Sequence, residues 1–137
     1  YTGPIPMVTH VHGSAGVGDE SDGYAEAWFL PSAGNIPTGY ATVGTWHDFF
    51  AGKAAAKGYL APGTTTWDPG TAVFQYPNTQ RASTIWYHDH ALGKTRVNVA
   101  AGPAGFFFVE DPAQEALVAA ALPPKGLVVA NLVGPKP

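Results

Sequence analysis

Cysteine is absent from the chain. Disulfides, zinc–thiolate sites, iron–sulfur clusters and a catalytic thiol are therefore excluded. Charge is scarce as well, with only 12% charged residues and a formal net charge of −3. The seven basic residues are scattered, and Lys53 and Lys57 come nearest to a patch. This argues against nucleic acid, whose phosphates demand clustered Lys and Arg. It also argues against a polybasic membrane anchor. Long apolar runs are missing: the richest stretch, Ala113 to Ala121, is short and holds Gln114 and Glu115, so nothing reads as a bilayer span. No signal peptide is visible at the start. The chain enters a β-prone run almost at once and reads as a mature product, a proteolytic piece or part of a larger polypeptide.

What the chain has in quantity is punctuation. Its 17 glycines and 13 prolines among 137 residues work against long helices and favour short strands joined by turns. Met7–His12 is a β-prone run closed by Gly13, and Ser14–Gly23 is a Gly- and acid-rich loop. Tyr24–Leu30, Thr71–Tyr76, Ala82–His88, Val97–Ala101, Gly105–Glu110 and Leu127–Val133 are further strand candidates. Pro77–Arg81 has turn chemistry, so Thr71–Tyr76 and Ala82–His88 are expected to form a hairpin. A helical turn is expected at Lys53–Lys57. A longer helix is expected at Pro112–Leu122, with Asp111 as its cap before a proline. The expected class is all-β, a Greek-key sandwich or barrel with short helical segments.

Four of the five histidines fall into two triplets, His10-Val11-His12 and His88-Asp89-His90. In a strand, residues i and i+2 face the same way, about 6.6 Å apart by strand rise. Each triplet thus presents two imidazoles on one face. Two such faces together give four nitrogen donors, suited to copper, zinc, iron or nickel. A single triplet would as readily be a surface feature or a hydrogen-bonded core histidine; two, each at the end of an apolar run, point to a metal.

The strings around the triplets carry more. Pro6-Met7-Val8-Thr9-His10-Val11-His12-Gly13 and Trp86-Tyr87-His88-Asp89-His90-Ala91 resemble the two N-terminal copper motifs of multicopper oxidases. Ser21-Asp22-Gly23-Tyr24-Ala25-Glu26-Ala27-Trp28-Phe29, Tyr76-Pro77-Asn78-Thr79-Gln80-Arg81 and Thr95-Arg96-Val97-Asn98-Val99-Ala100-Ala101-Gly102 resemble the branch of bacterial spore-coat laccases and bilirubin-oxidase-like enzymes. The resemblance runs over roughly residues 4–112. It implies a cupredoxin-like β-sandwich over 1–112 and leaves 113–137 as an extension of unassigned structure.

It also implies a chemistry. Such enzymes oxidise phenols, aromatic amines or metal ions at a type 1 copper and reduce dioxygen to water at a trinuclear cluster between their first and last cupredoxin domains. By motif position, His10 would serve the type 2 copper, His12 and His88 one type 3 copper, and His90 the other. The remaining cluster histidines, and the cysteine that a blue copper site needs, are not in this sequence. The chain is thus expected to need further cupredoxin domains, in the same or another chain, with dioxygen as the other partner and no nucleic acid or membrane. An extracytoplasmic or spore-associated place in a bacterium is what the resemblance suggests. The alternative is a stand-alone metal-binding module without oxidase turnover; a third possibility is a structural sandwich whose histidines are remnants.

Around the triplets, Asp22 is the candidate catalytic carboxylate, placed to relay protons; an Asp shaping the turn before Gly23 is an equal alternative. Asp89 lies between two ligand positions but points to the opposite strand face, so it is expected to be structural. His47 is expected to be structural or exposed, Met7 a core residue, and Trp28, Trp86 and Tyr87 packing around the site.

Overall fold

The computed structural model describes residues 5–31 and 36–122. Three strands, β1 (Thr9–His12), β2 (Ser83–Asp89) and β3 (Ala104–Val109), alternate in sequence with three helices, α1 (His47–Ala56), α2 (Thr95–Ala101) and α3 (Pro112–Ala121). The strands form one antiparallel sheet in the order β1-β2-β3. The strand expected at Leu127–Val133 lies outside the described residues. Among the described residues no helix is long and apolar enough to cross a membrane.

Strand alternation sorts the sheet into two faces. In register, His10 lies opposite His88 and His12 opposite Trp86, while Trp86 lies opposite Phe106 and Thr84 opposite Phe108. These side chains share one face. The other face carries Val11, Asp89 and Val109, all buried. A slip of one residue would exchange the two sets, so burial of Val11 and Asp89 fixes where the histidines point.

A second apolar cluster lies on α1. Phe50, Ala51 and Ala54 recur at helical spacing and bury against Ala27 and Trp67, with Tyr59, Leu60, Ala72 and Phe74 packed around them. The helix ends in a Schellman turn: Gly58 at φ +77 lets its N–H reach Ala55 O while Tyr59 N–H bonds Ala54 O at 3.0 Å. α3 starts as its sequence demands, with the Asp111 carboxylate accepting from Ala113 N at 3.0 Å and Gln114 N at 3.3 Å, and Pro112 in the first turn. It buries no residue.

Four expectations need correction. Val97–Ala101 is not a strand but lies in α2, because Asn98 must reach back to the sheet, as described below, and because Gly102 at φ 132 ends the helix. Thr71–Tyr76 forms no strand and no hairpin with Ala82–His88, because β1 and β3 occupy both edges of β2. Pro77–Arg81, expected as a turn, forms no regular turn, although Asn78 within it takes a left-handed backbone at φ 50. Tyr24–Leu30 contributes only isolated bridges, Phe29 with Met7 and with Val43.

Candidate metal centre

β1 and β2 bring the two triplets together. Ring centroids lie 5.2 Å apart for His10 and His88, 5.7 Å for His10 and His12, and 5.1 Å for His10 and His90. His88 is 5.7 Å from His12 and 5.9 Å from His90. His10, His12 and His88 each offer a nitrogen within 4.8 Å of the others. His88 is buried, His10 half-buried, and His12 and His90 exposed. Trp86 covers one flank, 4.3 Å from the His88 ring and 5.4 Å from that of His12. Beyond it Phe106 and Phe108 lie open, 72% and 63% exposed. The aromatic flank thus comprises Trp86 but not Tyr87, which lies on the opposite face over Gly105. Trp28 sits beside Gly44 instead.

The two inner rings are oriented by carbonyl oxygens. His10 Nδ1 lies 2.7 Å from Asp22 O and 3.2 Å from the Asp22 carboxylate. His88 Nδ1 lies 2.8 Å from Asp89 O. An acceptor can only receive, so in both rings Nδ1 carries and donates the proton and Nε2 keeps its lone pair. This is the arrangement by which second partners set a metal-binding imidazole's tautomer. His90 titrates below its ordinary value, first through partial desolvation and then through the neighbouring His10 and His88, which favours the neutral form that binds metal.

Asp89 is structural, and heavily so. Its buried carboxylate accepts from Val8 N at 2.9 Å, Ala91 N at 3.2 Å and Asn98 Nδ2 at 2.8 Å. Asn98 also donates to Pro6 O at 3.0 Å. One carboxylate thereby ties the approach to β1, the exit of β2 and α2. No sequence signal singles out Asn98 beyond its place in the string Thr95–Gly102. His47 stays out of the cluster: it is buried against Trp67, with ring centroids 5.0 Å apart, and pairs with Asp48 at 3.0 Å.

Among the described residues, the donor set is imidazole alone, with neutral nitrogens gathered in a small volume. Such a set fits copper, and zinc equally on donor chemistry. The sequence itself separates them. Residues 39–114 match the multicopper oxidase family profile. The chain is 34% identical over 113 residues to a laccase of Bacillus subtilis (strain 168), covering 82% of this chain and 16% of the relative. It is 38% identical over 114 residues to multicopper oxidase LPR1 homolog 1 of Oryza sativa subsp. japonica, covering 83% and 14%. Over 51 residues it is 50% identical to a bilirubin oxidase of Albifimbria verrucaria, covering 36% and 9%. The chain thus spans only 14–16% of the length of the first two. A profile matched across more than half of its residues, with the second histidine triplet inside the matched stretch, makes this chain a member of the multicopper oxidases, as a cupredoxin-like domain of that family.

Proposed function

We propose that this chain supplies His10, His12, His88 and His90 to a trinuclear copper cluster of a laccase-like oxidase. His10 would serve the type 2 copper, His12 and His88 one type 3 copper, and His90 the other. The observation that carries the reading is the convergence of His10, His12 and His88 nitrogens within 4.8 Å, with both inner rings already tied through Nδ1. When bound, the copper ions would supply four-electron reduction of dioxygen to water, with electrons drawn from a phenolic or similar substrate.

The chain's own residues have defined parts in this. Carbonyls of Asp22 and Asp89 hold the inner rings. Trp86 shields the buried ring of His88 from water. The Asp22 side chain is 51% exposed and 3.2 Å from His10 Nδ1, placed to carry protons between solvent and the site, since dioxygen reduction consumes them. Its backbone carbonyl has the separate job of orienting His10, so the turn and relay readings of this residue are compatible.

The remaining cluster ligands and the thiolate of a type 1 copper would come from other cupredoxin domains, in this polypeptide or another. These would close over the imidazole face, where Trp86, Phe106 and Phe108 are open. In the same reading, residues 1–112 are the Greek-key cupredoxin unit and 113–137 an extension. The location would be extracytoplasmic or spore-associated. The competing reading is a module that holds metal without turnover.

Copper content per chain, determined with intact mass and oxygen uptake on the protein carrying this domain, tests the proposal. His88→Ala is expected to lose cluster copper and oxygen uptake together, while His47→Gln keeps both. Copper content unchanged in His88→Ala ends the ligand reading. Bound copper without any oxygen uptake in the complete protein favours the module.

A further inference from the structure

In the loop over residues 13–23, Asp22, whose carbonyl oxygen meets His10 Nδ1, is flanked on both sides by residues held from elsewhere in the fold. At the loop's far end Gly23, at φ +77, lies against β1: a Cβ there would fall 2.8 Å from the Thr9 carbonyl carbon and 3.0 Å from His10 Cα. Only glycine allows that approach. The three residues before Asp22 are each held by an element remote in sequence. Asp19 pairs with Lys53 of α1. Glu20, 2% exposed, meets Lys57 at the end of α1, 2.7 Å between Oε2 and Nζ. Ser21, fully buried, accepts the Gln75 N–H on its Oγ at 3.0 Å.

Glu20 is the unusual member. A carboxylate buried against one ammonium is a poor source of stability, because desolvation offsets the Coulomb gain. The better-attested use of such a pair is to specify a single arrangement. Here the arrangement specified is the path of the two residues that follow. The ammonium of Lys57 is correspondingly pushed up by its hydrogen bond to Glu20, as expected for an engaged pair. Gly18 leaves room for it: a Cβ at that position would fall 2.6 Å from Lys57 Nζ.

We propose that Glu20 and Lys57 are positioning residues for His10: the ion pair sets the loop so that Asp22 O receives the His10 Nδ1 proton, leaving Nε2 as the free nitrogen. His88 has no such dependence, because its acceptor is the carbonyl of the next residue in its own strand. The significance of the brace for metal binding rests on the reading of His10 as a ligand; the brace itself does not.

The test uses the complete protein that carries this chain, metal-free and labelled with nitrogen-15 at histidine, with the ring tautomers of His10 and His88 read from assigned nitrogen shifts. In the parent chain His10 and His88 both show the Nδ1–H form. In Lys57→Met, and in the double variant Glu20→Gln/Lys57→Met, which leaves no unpaired buried charge, the His10 Nε2–H fraction is expected to rise by about tenfold, the weight of one lost hydrogen bond. His88 stays as it was, and Lys57→Arg restores His10. A purely structural pair would lower thermal stability without singling out His10. An unchanged His10 tautomer in the folded double variant overturns the proposal, as does an equal change at His88. Copper content of the complete protein carrying His10→Ala separates the two readings: a tautomer response with cluster copper unchanged in His10→Ala keeps the brace and removes the ligand assignment.

Discussion

The two histidine triplets are alike in sequence and are fixed by different means. His88 is held locally, through the carbonyl of Asp89, and the Asp89 side chain gathers three donors into a buried knot. His10 is held from a distance, by Asp22, twelve residues on, whose loop is in turn carried by α1 and by Gln75. The second triplet therefore owes its geometry to the strand that bears it. The first owes its geometry to tertiary packing. The same motif can thus be rigid for local reasons in one copy and for global reasons in the other.

The most direct way to break this contrast is at the knot. Asp89→Ala strands two buried backbone N–H groups and the Asn98 amide, and is expected to cost roughly 3–5 kcal/mol in urea unfolding. It should disturb both triplets, since Val8 and Ala91 flank one each. A loss below 1 kcal/mol would mean that the knot is not what joins the strands. Gly23→Ala forces a side chain into a left-handed backbone and against β1, for about 1–3 kcal/mol. In contrast to Asp89→Ala, its effect on histidine nitrogen shifts should be confined to the first triplet; shifts of equal size at His88 would erase the distinction.

Asp111→Ala removes the α3 cap for about 1 kcal/mol and should leave all four histidines unmoved, because α3 buries nothing. Smallest, and opposite in sign, is Tyr76→Phe. Among the described residues the Tyr76 hydroxyl is buried without a partner, and burial, aided by the charge of Asp22, pushes it up to about 12 from an ordinary 10.0. The folded state therefore favours the neutral phenol. That contribution is whole below pH 10 and drains away as pH rises towards 12. Phenylalanine should gain up to about 1 kcal/mol at neutral pH and flatten the alkaline loss, as followed by thermal melts across that window.

Much of the site was legible because its signal is local. Two histidines at i and i+2 in β-prone runs announce a shared face, and β1, β2, β3 and the capped α3 lie within a residue or two of where pattern and turn chemistry put them. The failures share a cause. Val97 and Val99 speak for a strand, yet Asn98 must turn inward to Asp89 and Pro6, and a helix does that. Thr71–Tyr76 has strand composition but no free edge of β2 to pair with. The role of Asp22 in holding His10 falls to a backbone carbonyl, which no side-chain pattern encodes, and Glu20 meets a lysine 37 residues away.

One consequence follows from both inner imidazoles donating through Nδ1. The choice of which nitrogen stays available is made during folding, so its entropic cost is already met before any ion arrives. On the proposed ligand reading, loading would ask for no change of tautomer in those rings. In that reading the solvent-facing rings of His12 and His90 would be the first an arriving ion meets, and the inner pair would anchor it.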